Sequence, residues 1–71
     1  MGEREYPQIN GYRLRELRIS RGLMLRRLER ASAVPCERLN ELEPGGGAVK
    51  EDTIEELADA LGAELSELLA D

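Results

Sequence analysis

Carboxylates are the commonest side chains here that could do chemistry: fifteen Asp and Glu in 71 residues. Glu37 and Glu41 stand four apart, as do Glu51 and Glu55. On a helix each pair would share a face, the arrangement from which a general acid and a general base can be drawn. Nothing around them supplies a pocket, so on short surface helices they read as solvated charge. The chain has no histidine and a single cysteine, Cys36. This excludes an internal disulfide, a Cys/His zinc site and a His-based triad. A thiol in the first turn of a helix could have a lowered pKa and sense oxidants; a small residue tolerated there is the plainer account. Catalysis is the weakest reading of the chain, and neither a cofactor nor a metal is expected.

The cations are placed unevenly. Residues 1–30 hold eight arginines against four acids, a balance of +4. Residues 31–71 hold Arg38 and Lys50 against eleven acids, a balance of −9, and the chain totals −5. Such polarity gives one surface that attracts anions and another that repels them; the bland alternative is a set of solvated helix faces. No apolar run approaches the ~20 residues needed to span a bilayer. The opening M-G-E-R-E-Y-P lacks the apolar stretch of a signal peptide. Tyr6 stands where the myristoylation pattern wants Ser or Thr. A bacterial-type cytoplasm is the expected location, with no membrane partner.

The elements that must position these groups follow from leucine spacing. One domain is the sensible count at this length, with modest stability and, lacking Phe and Trp, an aliphatic core. Residues 1–9 read as a flexible tail and 10–71 as the domain. Asn10 is a plausible N-cap, with Ile9 and Leu14 placed as a hydrophobic staple. A first helix runs to about Arg21, and Gly22 ends it. A second covers about Leu25–Ser32, with Leu25, Leu28 and Ala31 inward and Met24 a poor cap. A third covers about Pro35–Glu43, with Pro35 at its first position and Leu39 and Leu42 buried. Pro44-Gly45-Gly46-Gly47 stops it in a flexible loop. A fourth spans about Asp52–Leu61, where Ile54, Leu57, Ala58 and Leu61 follow the helical repeat. Its acidic start (Glu51, Asp52, Glu55) suits the helix dipole. Gly62 ends it, and a fifth covers about Leu65–Ala70. No stretch alternates with period two, so no strands are expected.

Five short helices with a tight turn between the second and third resemble the phage-repressor-like family, the Cro/C1-type or XRE-type helix-turn-helix. The resemblance spans about residues 13–69. It is carried by L-R-E-L-R-x-x-R-G-L at 14–23, Leu28, V-x-x-x-x-L-x-x-L-E-x-G at 34–45 and T-I-x-x-L-A-x-A-L-G at 53–62. It implies an all-α, compact five-helix lambda-repressor-like DNA-binding domain with the helix-turn-helix at helices two and three. It further implies that Cys36, Glu37, Asn40 and Glu41 face DNA bases, in a family whose recognition helix presents its N-terminal residues to base edges. An Asn40 amide could bind adenine N6 and N7, and Glu37 or Glu41 could accept from cytosine N4. Arg26, Arg27, Arg38 and Lys50 would hold phosphates. Arg18 and Glu43 fall where the family places a structural ion pair, which would neutralise Glu43 and fix the angle of the third helix.

The chain departs from the family at several of these places. Met24 and Leu25 replace a hydroxyl cap and a DNA-touching glutamine. Glu29 replaces a small residue at a close helix contact, and Ala33 replaces the turn glycine at a cost of roughly 1 kcal/mol if the backbone there is left-handed. The third helix, without Glu43, nets −1, so backbone affinity must come from arginines outside it. The implied function is a sequence-specific, repressor-type transcriptional regulator, a homodimer binding double-stranded DNA weakly and with high salt sensitivity. The competing reading is a protein-interaction module on the same fold, docking a partner through the acidic second half or the Met24-Leu25 pair.

Overall fold

The computed structural model describes residues 6–70. Its elements in chain order are β1 (Gln8–Ile9), α1 (Gly11–Ser20), α2 (Leu25–Ser32), α3 (Cys36–Leu42), β2 (Gly47–Ala48), α4 (Glu51–Leu61) and α5 (Leu65–Leu68). The fold is all-α in its bulk, with one small two-stranded sheet. The Asn10 side chain accepts a hydrogen bond from the Arg13 amide at 3.0 Å, so α1 starts where the sequence places it. Met24 caps α2 without a side-chain bond. Pro35 sits just outside α3 as its cap rather than at its first helical position, with extended backbone. Among the described residues no helix is long and apolar enough to cross a membrane.

The core is aliphatic throughout. Leu14, Leu28, Leu39, Leu42, Ile54, Leu57, Leu61 and Leu68 are buried, joined by Ile9, Val34, Val49 and Ala58. α4 is the central element, packing against both α2 and α5. Ala31, expected inside, is exposed, and Ser32 takes the inner place instead. Its hydroxyl donates to the Leu28 carbonyl at 2.7 Å and accepts from the Val34 amide at 3.3 Å. A buried hydroxyl that satisfies both its functions is not penalised, and this one also closes the turn between α2 and α3.

Three expectations are corrected at the edge of the fold. There are strands: Gln8 pairs with Ala48 and Ile9 with Gly47, antiparallel. The tail therefore does not extend to residue 9, and residues 1–5 of it lie outside the described residues. The segment from Pro7 to Asn10 is held on both sides. The Val49 amide donates to the Pro7 carbonyl at 3.0 Å, the Asn10 amide to Leu68 at 2.7 Å and the Ala70 amide to Gln8 at 2.9 Å. Two-residue strands have no period to read, and Ile9 is buried by this seam as well as by its place before α1. The glycine loop is likewise a packed junction. A Cβ at Gly46, whose φ is +86°, would run into the Ile9 carbonyl, and the Gly46 amide donates to Leu42 at 2.6 Å.

Two substitutions test this account. Ala33 has φ 65°, the left-handed region, so Ala33→Gly should raise stability by about 1 kcal/mol, seen as a higher urea midpoint at unchanged slope. Gly11→Ala should lower stability by about 3 kcal/mol or more, seen as a lower urea midpoint, because its Cβ would meet the Leu42 carbonyl and the Gly46 amide, both backbone.

Candidate nucleic-acid interface

The angle of α3 is set by one guanidinium. Arg18, near the end of α1, donates from Nε to Glu43 Oε2 at 2.6 Å and from Nη2 to Glu43 Oε1 at 3.0 Å. Its Nη1 donates to the Leu23 carbonyl at 2.7 Å. The pair is mostly out of water, with side chains 14% and 8% exposed. Fork-to-fork geometry of this kind is among the stronger polar contacts in proteins. It ties the end of α3 both to α1 and to the loop that starts α2. The hydrogen bonding to Glu43 holds the Arg18 pKa above its already high ordinary value, so the arginine stays charged at any physiological pH.

Across the turn, α2 and α3 meet at a second polar contact. Cys36 Sγ donates to Glu29 Oε1 at 3.2 Å. Glu29, half-buried, thus has a donor for its carboxylate across the turn. That hydrogen bond, with burial and the carboxylate's charge, pushes the Cys36 thiol above its ordinary pKa. This is the opposite of what an oxidant-sensing thiolate requires.

The residues assigned to base edges lie on the free side of α3. Glu37, Asn40 and Glu41 are exposed and Cys36 is half-buried. They are not equivalent. Glu41 Oε1 accepts from Arg38 Nη1 at 3.0 Å, and Cys36 is turned toward Glu29. Glu37 and Asn40 have no side-chain partner among the described residues.

The residues assigned to phosphates divide in the same way. Arg26 and Arg27 are exposed on the first turn of α2 and form no ion pair among the described residues. Arg38 is engaged, with Nη2 donating to the Ala48 carbonyl at 3.1 Å as well as Nη1 to Glu41. Lys50 is exposed just before α4 and shares a recess of about 400 Å³ with Arg38, Tyr6 and Glu56. Of the other arginines, Arg21 is committed to structure, its Nε donating to the Leu61 carbonyl at the end of α4 at 2.6 Å. Arg13 lies near Glu16 at 3.5 Å. Ser32 and Arg21 carry structural roles that sequence reasoning did not assign; neither has a local spacing that announces a partner forty or even two residues away. The Arg38–Glu41 pair was visible in principle, as an i, i+3 couple.

Two helices joined by a left-handed turn, with the second locked at its far end to the helix before them, define a helix-turn-helix of the Cro/C1 type. No family model and no curated protein matches the chain. Among solved structures it is similar to the restriction-modification controller protein C.AhdI from Aeromonas hydrophila. The two share 37% sequence identity, the match covers 80% of this chain and 86% of that one, and the TM-score is 0.74. The chain belongs with that controller protein to the phage-repressor-like, Cro/C1-type helix-turn-helix family of DNA-binding transcription regulators.

Breaking the Arg18–Glu43 pair from one side should be costly. Glu43→Ala should lose about 3 kcal/mol, since it strands a guanidinium shielded from water. Arg18→Met combined with Glu43→Leu should cost less than the two single changes summed, as a double-mutant cycle in urea would measure. For the thiol, iodoacetamide at pH 8 should alkylate Cys36 more slowly in the folded protein than in urea. Glu29→Ala should reduce that protection, because the hydrogen bond and the charge that hold the thiol protonated are then gone.

Proposed function

We propose that the chain is a transcriptional regulator of the repressor type that lays α3 in the major groove of double-stranded DNA, two copies binding paired half-sites. The observation that carries the reading is the locked α2–turn–α3 unit, held by Arg18, Glu43 and Leu23, in a chain belonging to this family. Dimeric helix-turn-helix proteins match two-fold operators because each copy covers one half-site. The acidity of α3 is compatible with this role. Arg18 offsets Glu43 and Arg38 offsets Glu41, leaving Glu37 as the unpaired carboxylate of the reading face among the described residues. A carboxylate there can accept a hydrogen bond from cytosine N4. Arg26 and Arg27 supply the phosphate grip, with Lys50 beyond the turn. The expected cellular setting is the cytoplasm.

A second reading has one observation in its favour. Met24 is 74% and Ile19 55% exposed, and with Leu23 and Leu25 they line an apolar recess at the start of α2. This is where the family's polar cap and glutamine would stand. On this reading the same fold docks a protein.

Titration into fluorescent mixed-sequence duplex at rising salt separates the two. The DNA reading expects log affinity to fall linearly with log salt, and Arg26→Ala and Arg27→Ala each to reduce the slope by about 0.9. Met24→Ser with Leu25→Gln should tighten binding by restoring a cap and a polar contact. Absence of binding at low salt would overturn the DNA reading and leave the apolar recess as the functional surface.

A further inference from the structure

A small recess of about 250 Å³ opens beside the C-terminal end of α3, lined by Arg15, Asn40, Glu43 and Pro44. Arg15 comes from α1 and Asn40 from α3. Both are exposed, and neither has a side-chain partner among the described residues. Glu43 is already offset by Arg18, which donates to both its carboxylate oxygens. Pro44 has no N–H to offer. The recess therefore presents a free guanidinium and a free amide next to a carboxylate already neutralised. A guanidinium fork matches two oxygens of a phosphate, and an amide N–H can supply a third donor.

We propose that Arg15 and Asn40 form a clamp for one DNA backbone phosphate at the C-terminal end of α3. The inference rests on the DNA-binding reading above and extends it to a contact that neither the family pattern nor the charge runs assigned. It gives α3 a grip at each end. At the other end Arg26 shares a recess with Glu29, whose carboxylate receives the thiol of Cys36, the first residue of the helix. The seven residues of α3 span roughly 10 Å, close to the ~12 Å width of the major groove. Cations at its two ends can hold the phosphates that border the groove while the helix between them meets base edges. Asn40 then fixes register, as phosphate contacts do, instead of reading adenine. The base-reading role passes to Glu37.

The test is the salt titration carried out on the Arg15→Ala, Arg15→Lys and Asn40→Ala proteins, with a panel of duplexes differing in sequence. Arg15→Ala should reduce the slope by about 0.9, and Arg15→Lys should retain it. Asn40→Ala should weaken binding to every duplex by the same factor. Thermal unfolding of all three should match the parent, since neither side chain is bonded within the fold. The clamp is overturned if Arg15→Ala leaves the slope unchanged, or if Asn40→Ala weakens some duplexes and spares others. In either case a normal slope for the parent protein would keep the DNA-binding reading intact. Failure of the parent to bind any duplex would instead remove that reading, and the clamp with it.

Discussion

Everything that α3 can do depends on where a single arginine side chain ends. Arg18 uses its three kinds of nitrogen on three bonds, two to Glu43 and one to the Leu23 carbonyl. A seven-residue helix cannot hold its own direction, since helices this short are marginal in water without tertiary support. Leu39 and Leu42 seat it on the core, but apolar contacts are non-directional. Orientation comes from the bidentate pair, whose planar geometry fixes angle as well as distance. The same guanidinium also reaches the loop that begins α2. The two helices of the motif are thus referenced to one point on α1.

The charge pattern makes sense once the pairings are known. By sequence, the second half of the chain is strongly acidic and α3 is a poor candidate for approaching DNA. In the structure all the carboxylates on and beside it except Glu37 are individually handled. Glu43 is spent on Arg18, Glu41 faces Arg38, and Glu29 on the neighbouring helix holds a thiol proton. The exposed Arg38–Glu41 pair adds little to stability, yet it offsets charge where a polyanion would pass. The surplus acids of α4 fall partly in its first turn, where Glu51 and Asp52 suit the helix dipole. Net charge is a sum over surfaces, and the surfaces here have different tasks.

The sequence was most legible where spacing carries the signal. The leucines at helical intervals placed all five helices to within a residue or two, and Ile54, Leu57, Ala58 and Leu61 are all buried as the repeat requires. Asn10 and the glycine at 62 mark helix ends by well-understood backbone preferences. Contacts across the chain were harder. Arg18 could be matched to Glu43 only through the register of a known family, because nothing local links residues 25 apart. The Glu29–Cys36 bond, the inward Ser32 and the bond from Arg21 to Leu61 all depend on where two elements come to rest against each other. A thiol facing a carboxylate has no composition signature, and a buried serine looks like any surface serine. The β1–β2 seam escaped for the simplest reason: strands of two residues are too short for alternation to exist.

That seam also sets when the fold can be finished. Ile9 forms a bridge to Leu69, sixty residues along the chain, and it is all but fully covered. A chain emerging from the ribosome presents Ile9 and Asn10 early but acquires Leu68, Leu69 and Ala70 only some sixty residues later. Until then β1 has its β2 neighbour at most, and one side of the segment leading into α1 remains bare. Closing so long a loop costs entropy that is recovered only when both ends are present. α1, and with it Arg18's hold on α3, therefore gains its full support only when Leu68, Leu69 and Ala70 join the seam.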